Sequence, residues 1–313
     1  MKNYQSDLWR TLRLIYKYSN KNIKNWFKDF PKIATEQLHK LNTAPLQDPN
    51  VLAKLFSLKN WPSQQFPSGH FADLAFTLSR NDHFLLDLYV WNHQDTNIHD
   101  HHFSGAFKVI QGESFHIEYD FQKSKSITPW LDEGKLKIKE QSNLVTGDVK
   151  TIFFKDDFIH QNMHTTNPCV TLCLRTLDHP KINLSSYYNL GMKILMSPLS
   201  QNDQKMLEGL MYLCSFPNNE TASQQFISKL SDRALYLSLT GTQRLLNRAP
   251  AAFHTLVHET LKKRDENLFN WFTKVTKHQS KLNLQLATLF KTPSYLTANE
   301  PESDLKLALC ETH

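Results

Sequence analysis

Along the chain the spacing of apolar positions changes twice. Through Leu8, Leu12, Leu14 and Ile15, then Ile23, Trp26 and Phe27, apolar residues recur at roughly helical intervals. That periodicity predicts helix across residues 1–60, punctuated by Pro31, Pro45 and Pro62. From Phe71 the period shortens. Residues 71–79, 83–91, 106–111, 114–121, 149–154 and 169–176 alternate or run apolar over short stretches, and they are rich in Val, Ile, Phe, Tyr and Thr. Gly112, Gly134 and Gly147 fall between these predicted strands, where turns belong. After about Pro198 the helical period returns. Ser200 and Asp203 form a start signal for a helix through Leu213. Pro250 suits the first turn of a helix reading AAFHTLVHETLKKR, and a third helix is expected over roughly 266–290. The polar tail from Pro293 to His313 is expected to fray.

These changes of period predict a mostly β core, an antiparallel β-barrel or jelly roll, with N-terminal and C-terminal α-helical flanks. The expected organisation is an N-terminal helical segment over 1–65 packing on the barrel, a barrel over 66–197, and a C-terminal helical region over 198–313. No internal repeat is visible.

Composition narrows the function classes. The 313 residues include 15 histidines and only 8 glycines, and no glycine-rich phosphate fingerprint occurs. Hydrophobic residues at 40% and aromatics at 12% are ample for a packed core. The net charge of +6 comes from scattered lysines, read as solvated helix faces, so no nucleic-acid partner is expected. The four cysteines form no C-x-x-C pair, which suits a reducing compartment. No apolar leader core and no 18-residue apolar run occurs, so the expectation is a cytoplasmic protein without membrane contact.

The histidines are clustered: ten of the fifteen lie between residues 70 and 179. Within NHQDTNIHDHHFSGAFKVIQGE, His99 and His101 stand two apart, a spacing that puts both imidazoles on one face of a strand. Two such ligands leave a metal open, so a third must come from another strand. His160 follows a predicted strand and a turn; His164, four residues on, is the alternative. By the same parity His102 should face away; His116, in the next strand, could line the cavity or, rather, play a core or surface role. The pair His93 and Asp95 offers a minor carboxylate-containing option, and His254 and His258 share a predicted helix face. Cys169 and Cys173 share one strand parity and read as small buried hydrophobes. Three neutral imidazoles leave a metal's charge uncompensated and up to three positions open. Iron(II) is the natural metal for oxygen activation there, and Zn(II) or Mn(II) also fit the ligands. Asp100, Gln111 and Asn162 are candidates to orient the imidazoles.

The stretch IHDHHFSGAFKVIQGE resembles the first metal motif of the cupin superfamily, and more narrowly that of the cysteine dioxygenase-type thiol dioxygenases. The family pattern of His-Asp-His, a short gap and an apolar run ending in Gln-Gly maps onto His99, Asp100, His101, Gln111 and Gly112. Most cupins carry a glutamate ligand a few residues after the second histidine; here Ser104, Gly105 and Ala106 stand in that stretch, as in the three-histidine thiol dioxygenases. His160, followed by Asn167-Pro168-Cys169-Val170, is similar to the second motif. Arg80, before the strand ending at Trp91, resembles the arginine that holds the substrate carboxylate. The resemblance covers about residues 70–180. It departs from the family where a Ser-His-Tyr relay belongs: Thr171, Cys173 and Arg175 occupy those positions. Gly105 occupies the position of a crosslinking cysteine.

The resemblance implies a metal-dependent enzyme with His99, His101 and His160 as ligands. It also implies an iron(II) dioxygenase-like reaction on a small thiol or anionic metabolite. Arg80 or Arg175 would hold the anionic group, and dioxygen would be the co-substrate. The alternatives are a non-catalytic small-molecule-binding cupin with a helical interaction module, and a zinc or manganese isomerase or hydrolase. The C-terminal helices are candidates for homodimerisation or for a protein partner.

Overall fold

The computed structural model describes residues 26–57, 62–65, 72–92, 95–196, 199–216, 220–239 and 249–291. The expectations for residues 1–25 and for the tail beyond Lys291 lie outside these. Ten strands follow in chain order: β1 (Leu74–Arg80), β2 (Phe84–Trp91), β3 (Gly105–Gln111), β4 (Glu113–Thr128), β5 (Leu131–Val145), β6 (Val149–Ile152), β7 (Ile159–His164), β8 (Cys169–Thr176), β9 (Ser185–Tyr188) and β10 (Met192–Leu195). They form two five-stranded antiparallel sheets, ordered β1-β2-β8-β3-β6 and β7-β4-β5-β10-β9. The fold is the expected double-sheet β core flanked by helices.

Strand parity sorts the first sheet. Phe84, Leu86 and Leu88 of β2, with Val170, Leu172 and Leu174 of β8, pack outward against helix α1 (Trp26–Lys40). Phe30, Ala34 and Leu38 meet them, one per helical turn on one face. Full burial of each large side chain here contributes about 1.5–3 kcal/mol. The alternate residues Tyr89, Trp91, Cys169 and Cys173 point between the sheets. With both faces covered, β8 is buried along its whole length and β2 along nearly all of it. That is why these strands carry apolar residues at both parities. Lys108 of β3 has its ammonium buried and donates to the carbonyls of Leu38 (3.1 Å) and Leu41 (3.0 Å), closing the C-terminal end of α1 on the sheet.

In the second sheet Phe115, Ile117 and Tyr119 of β4 cluster with Ile159 and Met163 of β7 and Tyr187 of β9. Their neighbours along β4 and β7 face the barrel interior. A second helix, α2 (Pro49–Phe56), follows α1. Helices α3 (Gln201–Leu213), α4 (Glu220–Ile227), α5 (Asp232–Leu239), α6 (Ala251–Arg264) and α7 (Glu266–Lys291) pack with Leu131, Met192 and Ile194 into a separate apolar cluster. As expected, Ser200 caps α3 by accepting from the Asp203 amide at 3.0 Å. No helix among the described residues is long and apolar enough to cross a membrane.

Three expectations change. Helix α1 runs through Pro31 rather than breaking there, held by its buried face. Strand β4 extends beyond residue 121, and β5 was not expected. Together they form a long charged hairpin braced by Lys123–Asp132 (2.8 Å) and Lys125–Glu133 (2.9 Å). Strands β9 and β10 were also not expected, being only four residues each.

Candidate metal centre

His99 and His101 precede β3 in an extended connection, not in a regular strand as their spacing suggested. The connection nonetheless behaves as one, because His99 bridges both His160 of β7 and Ser186 of β9. His99 and His160 exchange both backbone hydrogen bonds at 2.9 Å, making them directly opposed antiparallel partners with side chains on one face. Asp100 N donates to Ser185 O at 3.1 Å, and Tyr187 N to Ile98 O at 2.8 Å. Residues 98–100 thus stitch β7 to β9, the two edges of the second sheet, and His101 lies two residues on with the same parity.

Ring nitrogens of His99, His101 and His160 all lie within 4.8 Å of one another, and all three residues are buried. Nδ1 of His99 is 2.7 Å from the Asn97 carbonyl, which can only accept, so the proton sits on Nδ1. Nε2 is thereby left as a bare lone pair, buried and without a protein partner. The Nε2 atoms of His101 and His160 are 2.8 Å apart. Two nitrogens bound at right angles to one ion at ~2.1 Å would be separated by about 3 Å. Burial lowers the pKa of all three imidazoles, and mutual repulsion lowers those of His101 and His160 further. They are neutral, metal-ready ligands. The residues present therefore fit a divalent transition metal. Among the described residues this is the group of histidine, cysteine and acidic side chains that converges in this way.

His116, on β4, is fully buried and brings Nε2 to 3.1 Å from Nδ1 of His160. Burial, then the Lys150 charge, pushes its pKa down to about 3. It sets the ring plane of His160 from behind. The sequence offered it as a cavity-lining residue or, rather, a core or surface one; it is a core residue outside the cavity lining. Its pairing with Asn162 across the β4–β7 ladder, a register that no local pattern in the sequence encodes, brings it to His160.

Asp100 points away from the centre. It ion-pairs with Lys155 at 3.2 Å and accepts from Ser185 N (2.6 Å) and Tyr187 O–H (2.9 Å), anchoring the connection instead of orienting a ligand. Gln111 ends β3 outside the cavity lining. His164 is not in the cluster: its Nδ1 is 2.8 Å from Ser114 Oγ and its ring stacks on Trp91. His93 lies outside the described residues, while Asp95 accepts from the His164 amide at 2.9 Å. His258 packs against Phe269 in the helical region.

The histidines line a cavity of about 130 Å³. Its walls include Tyr89, Trp91, Phe103, Phe107, Ile152 and Leu184. Thr171, Cys173 and Arg175 all line it, as their shared parity required. Thr171 accepts from Trp91 Nε1 at 3.0 Å. Burial pushes the Cys173 thiol up to about 12, so it stays protonated. Arg175 is 1% exposed. Its Nε is 3.2 Å from Asp87 and its Nη1 is 2.7 Å from Asp178, and its guanidinium stacks on Phe103 at 4.3 Å. Burial works against ionisation of Asp178, but the His102 hydrogen bond and the Arg175 charge bring its carboxyl down to about 2. His102 reaches Asp178 at 3.3 Å and lines the cavity; it was expected to face away, but the chain bends at residues 102–103 and strand parity lapses there. Arg80 is exposed at the end of β1, donates to Gln65 Oε1 at 3.1 Å, and is not among the lining residues.

No family model and no curated protein matches the chain. Similar solved structures include KdgF from Halomonas sp. (12% identity, 34% of this chain and 79% of that one, TM-score 0.25). A cupin superfamily protein from Desulfitobacterium hafniense DCB-2 is similar at 17% identity over 39% of this chain and 98% of that one, TM-score 0.24. Hydroquinone 1,2-dioxygenase from Sphingomonas sp. TTNP3 is similar at 9% identity over 33% of this chain and 65% of that one, TM-score 0.25. Likenesses this distant carry no functional argument.

Proposed function

We propose that the protein is a metal-dependent enzyme of cupin type, with His99, His101 and His160 holding iron(II) in a dioxygenase-like site. The observation that carries this reading is the convergence of three neutral imidazole nitrogens, with the His99 tautomer already set by Asn97. Among the described residues no carboxylate joins them, and the neighbouring Asp100 is committed to Lys155 and Tyr187. A bound iron would supply open positions for dioxygen and redox chemistry. Zn(II) and Mn(II) suit the same ligands.

The side chains lining the cavity shape and shield the site. Trp91, Phe103 and Phe107 wall the site against bulk water. Cys173 is held as a thiol, and burial together with the Asp87 charge keeps the Tyr89 hydroxyl protonated, so neither is poised as a nucleophile. Proton movement at the cavity edge falls to the His102–Asp178 pair. The test is metal analysis of protein purified without oxygen, followed by oxygen uptake. The reading expects about one iron per chain, lost when His99→Ala and His101→Ala are combined. Unchanged metal occupancy in that double variant would sink it.

A further inference from the structure

We propose that the cavity beside the three histidines takes an uncharged ligand the size of one aromatic ring, with an O–H or N–H group directed at Asn162. This deepens the metal-centre reading and rests on it for the ligand's fate, while its binding to the walls is independent of any ion.

Size comes first. The cavity measures about 130 Å³, close to the ~150 Å³ apolar cavities that accept benzene. Its shape-giving walls are the rings of Tyr89, Trp91, Phe103 and Phe107, which favour stacked and edge contacts with another ring. Charge comes second. The cation in the lining, Arg175, is buried between the carboxylates of Asp87 and Asp178, one positive charge against two negative. An anionic ligand would face that surplus in a low-dielectric enclosure. The anion-holding role expected of Arg175 therefore has no support here, and Arg80 lies outside the lining.

The polar contact comes third. Asn162 lines the cavity two residues beyond His160 on the same strand face. It is 7% exposed, and its Oδ1 is buried with no hydrogen-bond partner. Its backbone is fully engaged: N donates to Thr96 Oγ1 (2.7 Å) and O accepts from Thr96 N (3.0 Å). The side-chain acceptor is thus the spare group, and a buried acceptor left empty is unfavourable. A phenol-like or aniline-like edge satisfies it.

The experiment is calorimetric titration of the full chain, metal-free and iron-loaded under nitrogen, with phenol, toluene and benzoate. Phenol should bind once per chain in both forms, about fivefold to tenfold tighter than toluene, the value of one neutral hydrogen bond. In the metal-free form benzoate should bind at least about tenfold more weakly than phenol. Asn162→Ala should abolish the phenol–toluene difference while toluene binding persists, which also reports that the variant is folded. If the variant does not fold, the wild-type phenol, toluene and benzoate series still tests the size and charge of the ligand, and His99→Ala, which removes another unpartnered acceptor of the lining, should leave the phenol–toluene difference intact. Benzoate equal to phenol in the metal-free form, no phenol binding, or a difference that survives Asn162→Ala would each overturn the inference. Metal content measured on the same samples separates the two readings. Iron held without phenol binding overturns the ligand inference alone. Phenol bound by a chain that takes no iron supports it and overturns the metal centre.

Discussion

His160 is held by three other residues at once. Its backbone is locked to His99, its Nε2 faces His101, and its Nδ1 is met by His116. A ligand so restrained loses little freedom on binding a metal. Replacing His116 with Leu should therefore weaken metal binding by about 10–100-fold without removing a ligand. Competition with a calibrated chelator measures this; an unchanged affinity would show that His116 merely fills space. Arg175 makes the opposite case. Its charge supports the fold, because Asp87, itself 1% exposed, depends on it. Arg175→Leu should destabilise the protein by about 3–5 kcal/mol, read by denaturant unfolding, since it strands a buried carboxylate. A loss of ligand affinity at undiminished stability would restore it as a substrate-holding residue. At this scale the sequence was informative about chemistry and silent about pairing. The spacing of His99 and His101 was visible, whereas the roles of His116 and His102 depended on a ladder register and a bend that no local pattern encodes.

The elements place these residues by close approach. Gly105 opens β3 where it runs beside β8, and a Cβ there would press on the Leu174 carbonyl and lie 2.7 Å from the Arg175 Cα. Gly105→Ala must push the two strands apart. A loss of about 1–3 kcal/mol in unfolding free energy is expected, together with a loosened Arg175. Stability equal to wild type would mean the sheet tolerates the separation. Buried strands such as β2 and β8 were legible because both faces are apolar or committed. The β5 half of the long hairpin was not, because the backbone ladder to β4 holds it while most of its side chains are polar and solvent-facing, which leaves no apolar signature. The four-residue β9 escaped for another reason: its partner at His99 is a bridge, not a strand.

The described residues enclose a histidine-bearing, largely apolar interior between two sheets, with α1 packed on one sheet and the C-terminal helices on Leu131, Met192 and Ile194 of the other. That arrangement holds the buried imidazoles of His99, His101, His116 and His160 neutral, and it makes metal-free stability depend on pH. The folded pKa of His116 is about 3 against a reference of 6.5, and those of His99, His101 and His160 are also lowered, all by burial first. Below the reference value the unfolded chain therefore binds more protons, so stability is full above about pH 6.5 and declines as pH falls toward 3. Thermal unfolding of the metal-free protein between these limits should show a falling Tm; a flat profile would mean the imidazoles are not buried as a group.

His99, His101 and His160 converge as three imidazoles placed to share one ion. X-ray absorption at the metal edge of the iron-loaded protein tests it directly. Three imidazole-type nitrogen scatterers and no sulfur are expected, since Cys169 and Cys173 are buried thiols outside the ligand group. A sulfur shell, or fewer than three imidazoles, would contradict it.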